Sequence, residues 1–270
     1  MKVALCAIGR LENNYIREWV EHYKMLGFDN IILYDNNYDG EDHFEDVISD
    51  YIDSGFVDVI NYRNKQVCQI KAYDECYHNH SNDYDWIAFF DIDEFMILEK
   101  YNNINDFLNQ NIFKDCDGIR VCWKQFTDSG LVRVINGNYK CMNRFTEIIP
   151  LHKGQALHCK TIFKTKNKII KFNDAHGCYD KRLKLKNCVG DICNNTNFDI
   201  GNKTILKGAW LNHYRYKTIE EFIKTKLKRC YPDKTPEAAR NGNFNINTFF
   251  TTNKKTDEKI KIAREFGFNI

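Results

Sequence analysis

The sequence predicts an α/β fold with a mainly parallel sheet and flanking helices. Three observations carry that expectation. Short apolar runs alternate with amphipathic helical stretches through the first half of the chain. Glycines and polar turn residues separate them. Strands divided by helices of this length need right-handed crossovers, which make neighbouring strands parallel. The chain has 270 residues, enough to bury a sizeable core, and 43% hydrophobic content suits a globular protein.

Val3 to Ile8 reads as a buried strand. Tyr15, Ile16, Trp19, Val20, Tyr23 and Leu26 then fall on one helical face, and Gly27 is a natural stop. Asn30 to Tyr34 is a second strand, ending in the polar loop Asp35-Asn36-Asn37-Tyr38-Asp39-Gly40. Phe44, Val47, Ile48, Tyr51 and Ile52 mark a second helix, closed near Gly55. Phe56 to Ile60 is a third strand. Val67, Ile70, Tyr73 and Tyr77 mark a looser helix before a fourth strand that ends at Asp91.

That fourth strand carries the most informative segment, Trp86-Ile87-Ala88-Phe89-Phe90-Asp91-Ile92-Asp93-Glu94-Phe95. An apolar run stops abruptly at three carboxylates. Two Asp at i and i+2 on an extended chain point the same way. Like charges gathered at a strand end are costly unless a cation or ligand sits there. A divalent metal carrying a substrate's phosphates is the simplest occupant; a solvated acidic end is the plain alternative. Open α/β sheets present this edge to their ligand crevice. Gly9-Arg10-Leu11-Glu12 and Asp35-Asn36 should converge there too. Asp35 suits a ribose or base contact, or an Asx-turn.

The second half is less regular. Asn103 to Ile112 reads as helix and Gly118 to Trp123 as strand. Leu131 to Ile135, Lys160 to Thr165 and Lys168 to Phe172 read as short strands. Thr218 and Glu221 form a capping box. Ile219, Phe222, Ile223 and Leu227 make the apolar stripe of the helix that follows. Lys224, Lys226, Lys228 and Arg229 are expected on its solvated face, with attraction to phosphate-rich substrates or anionic lipid as a second use.

A net charge of +2 argues against a general nucleic-acid binder. The amino terminus runs straight into a strand, and no apolar run approaches a membrane span. The expectation is a cytoplasmic protein, peripheral at most at the inner membrane face. Eleven scattered cysteines suit reduced thiols. His158, Cys159, His176, Cys178, Cys188 and Cys193 lack the tight spacing of a structural zinc site.

Taken together, Glu12, Glu18-Trp19, Tyr34-Asp35-Asn36, Gln69, Ala72-Tyr73, the Asp91-Ile92-Asp93 segment, Trp123-Lys124-Gln125-Phe126, Arg144-Phe145, His176 and Asn212-His213-Tyr214-Arg215-Tyr216-Lys217-Thr218 resemble the GT-A glycosyltransferases of family 92 and their bacterial family 2 relatives. The resemblance spans roughly residues 3 to 230. It implies a GT-A fold with residues 1–115 as the nucleotide-sugar half and 116–230 as the acceptor-binding and metal-completing half. Residues 231–270 would be a helical extension.

The resemblance further implies a nucleotide-sugar donor, most often a UDP-sugar, and a divalent metal, manganese ahead of magnesium. The acceptor would be a glycan or glycolipid hydroxyl, with inversion at the transferred sugar. By carry-over, Asp91, Asp93 and His213 would hold the metal. Ile8, Glu12, Asp35, Gln69, Asp91 and Lys217 would line the donor site. Asp128 is the first candidate for general base, with Glu94, Glu147, Asp174 and Asp180 behind it. A non-catalytic nucleotide-sugar or glycan-binding module of the same fold is the alternative.

Overall fold

The computed structural model describes residues 1–151, 157–165, 170–178, 180–193, 198–199, 206–229 and 245–270. The four expected strands are β1 (Val3–Gly9), β2 (Asn30–Asp35), β3 (Val57–Asn61) and β4 (Trp86–Phe89). Between them run α1 (Asn13–Met25), α2 (Glu45–Asp53) and α3 (Gln69–His80). The strands are parallel in the order β3-β2-β1-β4.

Alternation along β1 explains the layers. Val3, Leu5 and Ala7 join a core with Tyr15, Trp19 and Val20 of α1 and Ile48 of α2. Ala4, Cys6 and Ile8 join a second core with Ala72, Tyr73 and Cys76 of α3. Successive side chains of a strand point to opposite faces, so two-sided burial makes the strand an unbroken apolar run. Gly27 ends α1 region at φ 80°, where glycine pays no Cβ penalty.

The sheet then continues through β5 (Glu94–Leu98), β6 (Gly118–Gln125), β7 (Leu157–Lys164), β8 (Leu185–Asn187), β9 (Phe198–Asp199) and β10 (Ala209–His213). Beyond β4 the order is β7-β6-β10-β5, with β8 on β6 and β9 on β7. β7 is antiparallel to both β4 and β6, and β5 is antiparallel to β10. The parallel expectation therefore holds for β1 to β4 and gives way to mixed pairing afterwards.

Several expectations need correction. The expected helix over 103–112 divides into α4 (Ile104–Leu108) and a 3-10 turn, Asn111–Phe113, because Gln110 between them is extended. Leu131 to Ile135 forms no strand; Val132 packs on a third core instead. Of the expected strand Lys168 to Phe172, residues 168–169 lie outside the described residues. Ile170 and Phe172 pack into the second core without pairing.

After α5 (Cys141–Arg144) and β10 comes α6 (Ile219–Phe222), which runs into a π-helical turn, Ile223–Leu227. Residues 231–244 of the expected C-terminal extension lie outside the described residues. Its remainder contains α7 (Ile246–Phe250) and α8 (Asp257–Glu265). Ile246, Phe249, Ile262 and Ala263 pack with Tyr216, Ile219 and Phe222 to make the third core. Among the described residues no helix is long and apolar enough to cross a membrane, and no disulfide joins the cysteines.

The expected capping box is present. Thr218 Oγ1 accepts from Glu221 N, and Glu221 Oε2 accepts from Thr218 N. Glu221 does more than cap. Arg144 donates to both of its oxygens, at 2.9 and 2.6 Å, and Tyr15 OH donates to Oε1 at 2.9 Å. These bonds tie α1, α5 and α6 together around a carboxylate only 3% exposed. Burial alone would raise the Glu221 pKa, but Arg144 outweighs it and the net shift is downward. Removing one partner of a buried pair strands the other, so Glu221→Ala should cost about 3–5 kcal/mol in urea denaturation. A lowered folded pKa stabilises above the unfolded value of about 4.3 and is lost as pH falls through the folded one. The variant should lack that part of the acid sensitivity.

Candidate functional site

The acidic segment is a tight turn rather than the end of an extended strand. β4 stops at Phe89 and β5 starts at Glu94. Glu94 N donates to Asp91 O at 3.0 Å, and Asp91 N donates to Glu94 Oε2 at 3.0 Å. Asp91 and Asp93 therefore do not point alike, as the extended-chain reading expected. A Cβ added at Gly9 would overlap Ile92 Cδ1 and press on Phe44. Glycine at the end of β1 is what lets this turn pack so closely.

Register brings the cations to the turn. In the antiparallel β4–β7 pair, Phe89 faces Thr161, so Lys160 comes level with the chain just past Phe89. Lys160 Nζ lies 2.9 Å from Asp91 Oδ2 and 4.0 Å from Glu94 Oε1. Gln69 and Tyr73 of α3 donate to Asp91 Oδ1 at 3.0 and 3.2 Å. Asp93 is 1% exposed and pairs through Oδ2 with Lys226 of the π-helical turn. β5 pairs with β10 so that Glu94 faces His213. This sets His213 Nε2 3.6 Å from Asp93 Oδ1, a buried oxygen with no hydrogen-bond partner.

The loop after β1 closes the cluster. Glu12 is 1% exposed and faces Lys217 Nζ at 3.3 Å and Arg229 Nη1 at 2.7 Å. Lys217 sits at φ 55°, a region few non-glycine residues adopt. Backbone held in such a region is enriched at functional sites. Arg229 also donates to Arg10 O at 2.8 Å. Four carboxylates (Glu12, Asp91, Asp93, Glu94) thus meet four cations (Lys160, Lys217, Lys226, Arg229).

The electrostatics follow from burial and pairing. Burial would raise the Asp93 pKa, but the Lys226 ammonium beside it holds it well below the usual carboxylate range. Burial, helped by the charges of Asp91 and Asp93, pushes Glu94 well above that range. Burial lowers the His213 pKa despite Asp93, which favours the neutral ring able to ligate a metal. Trp123 lies against this imidazole, with ring centroids 4.2 Å apart.

Asp91, Asp93, Gln69, His213, Glu12 and Lys217 are therefore brought to one sheet edge. Ile8 is 4% exposed and packs in the second core, one residue before Gly9. Asp35 forms the Asx-turn: its Oδ1 accepts from Asn37 N at 2.9 Å. Its Oδ2 accepts from Arg63 Nε at 2.8 Å. Asp35, His43 and Glu45 bring ligand atoms within 4.8 Å of one another, but Arg63 bonds to all three. That makes a guanidinium-filled cluster. Asp91, Asp93 and His213 do not form so compact a set, since Asp91 turns toward Lys160.

Sequence reasoning missed Lys160 and misplaced Lys226 and Arg229, which turn inward instead of lying on a solvated face. Lys160 has no motif around it and is located only by strand register. Lys226 and Arg229 did leave a signal. They follow Phe222 by four and seven residues, which continues the apolar stripe.

The fold and this edge define an α/β protein with buried, cation-paired carboxylates gathered at the strand ends of its sheet. The sequence profile of glycosyltransferase family 92 matches residues 2–182, and the chain belongs to that family. A glycosyltransferase family 92 protein of Ricinus communis is 28% identical over 135 residues, covering 49% of this chain and 24% of the relative. Another, from Oryza sativa subsp. japonica, is 25% identical over 153 residues, covering 52% and 24%. The chain thus matches about a quarter of the length of these relatives. S. aureus TarS 1–349 in complex with UDP-GlcNAc superposes with a TM-score of 0.44 at 10% identity, over 98% of this chain and 80% of that one.

Asp128 is held by other partners. Its Oδ2 pairs with Lys259 of α8, its Oδ1 accepts from Gly130 N at 2.9 Å, and its N donates to Asn253 Oδ1 at 2.7 Å. Oδ2 and the backbone N hold the C-terminal segment, while Oδ1 closes the local turn. Asp128→Asn would leave the buried Lys259 ammonium uncompensated, so we expect a loss of about 3–5 kcal/mol in chemical denaturation. A general base would behave differently: stability would stay and turnover would fall about 10²–10⁴-fold.

Proposed function

We propose that this chain is a metal-assisted glycosyltransferase that moves a sugar from a nucleotide diphosphate, a UDP-sugar first, to a hydroxyl acceptor with inversion. The observation that supports the reading most is Asp93 in a family 92 chain. Its buried Oδ1 lacks a hydrogen bond and faces the His213 imidazole at 3.6 Å. A carboxylate and a neutral imidazole side by side suit a divalent cation that takes its remaining ligands from diphosphate oxygens and water.

Asp93 and His213 would hold that cation directly. The half-buried Asp91 would take the ribose or a metal-bound water, oriented by Gln69 and Tyr73. When bound, the metal supplies Lewis-acid stabilisation of the negative charge that develops on the leaving diphosphate. Lys217 would contribute a second positive charge on the diphosphate, carried from its pair with Glu12. Transfer with inversion breaks the anomeric carbon–diphosphate bond as the acceptor oxygen attacks from the opposite side and gives its proton to a base.

Asp93→Asn removes the ligand charge and keeps the side-chain shape. Titration calorimetry with UDP and manganese should show binding weakened at least about tenfold, while circular dichroism stays native. Unchanged affinity in the variant would overturn the assignment. Wild-type binding of donor without transfer to any acceptor in a broad screen would favour a binding module.

A further inference from the structure

The helix that begins at Thr218 crosses the edge where the donor is proposed to sit. Phe222 and Ile223 are buried in the third core, and the chain then turns π-helical through Leu227. The stripe that began as apolar continues as cationic. Lys226 lands on Asp93 Oδ2, Arg229 on Glu12 Oε1 and Arg10 O, and Lys228 lies 3.8 Å from Glu41. Lys224, on the opposite side, is exposed and pairs with Glu220 at 2.8 Å. So one helix places its cations on carboxylates from the loops after β1, β2 and β4.

The Asp93 pair is the informative one. The Lys226 side chain is 13% exposed and that of Asp93 1%. An ammonium so placed satisfies one oxygen of the carboxylate, while Oδ1 keeps no hydrogen-bond partner and faces His213. A divalent cation held by Asp93 and His213 would meet the Lys226 charge within the same carboxylate. Two cations on one carboxylate repel, and little water lies between them to screen that repulsion.

We propose that Lys226 is an internal cation that competes with the divalent metal for Asp93 and leaves it when metal and diphosphate arrive together. This rests on the metal reading of Asp93. Metal alone must then displace Lys226 with no anion to receive the ammonium. Metal with a nucleotide diphosphate supplies that anion, so Lys226 moves from carboxylate to phosphate. The pairing keeps metal affinity low until donor is present.

The test is titration of manganese alone, then of manganese with UDP, into wild type and Lys226→Gln. Lys226→Gln should bind manganese alone about tenfold tighter than wild type. Lys224→Gln, on the exposed side, should match wild type. Lys226→Met keeps the buried stem and gives the same reading if the amide variant does not fold. Equal manganese affinity in wild type and the Lys226 variants would overturn the competition while leaving the metal site intact. Manganese binding absent from every protein, with and without UDP, would overturn the metal reading and this proposal with it.

Discussion

Carboxylates buried at a strand end must be neutralised, and at the end of β4 that need organises much of the molecule. Glu12, Asp93 and Glu94 are each at most 1% exposed. Leaving such charges unpaired is far costlier than holding them in place. The chain answers with Lys160 from β7, Lys217 from the segment after β10, and Lys226 and Arg229 from the helix that follows. Parts of the chain well separated in sequence are therefore bound to one another through one polar cluster. The apolar cores set the layers, and this cluster sets how the second half closes over the first.

The arrangement also explains why a stabilising feature can serve chemistry. A cluster in which an internal ammonium already sits on a carboxylate can exchange that cation for a metal. The proposed donor brings its own negative charge, which can take up the released ammonium. Burial lowers the pKa of His213, which lies beside the Asp93 oxygen that lacks a hydrogen bond. Gln69 and Tyr73 fix Asp91 from α3, so the two aspartates are oriented by different elements and face different partners.

Much of this was legible in the sequence. Alternating apolar runs located β1 to β4 and α1 to α3, since two-sided burial leaves a plain pattern. The Thr218 capping box followed from spacing, because both of its bonds are local. The convergence of Glu12, Asp91, Asp93 and His213 followed from strand ends and from the resemblance. What was not legible depends on register or on turns. β5 was hidden because only Phe90 to Asp93 separate it from β4. Lys160 reaches Asp91 through a pairing more than seventy residues apart in sequence, which no local pattern encodes. Lys226 was assigned to a solvated face because a lysine reads as exposed by default, although its spacing from Phe222 placed it inward. Asp35 was readable as an Asx-turn, but its pairing with Arg63 was not.

The central claim is that the Asp93–His213 pair is the cation site and that Lys226 gives way to its occupant. Anomalous X-ray diffraction at a manganese-sensitive wavelength, from crystals grown with UDP and manganese, tests it most directly. The account predicts one strong peak between Asp93 Oδ1 and His213 Nε2, with Lys226 Nζ withdrawn from Asp93 toward the diphosphate. A peak among Asp35, His43 and Glu45 instead, or UDP bound with Lys226 still on Asp93 and no peak beside it, would contradict the account.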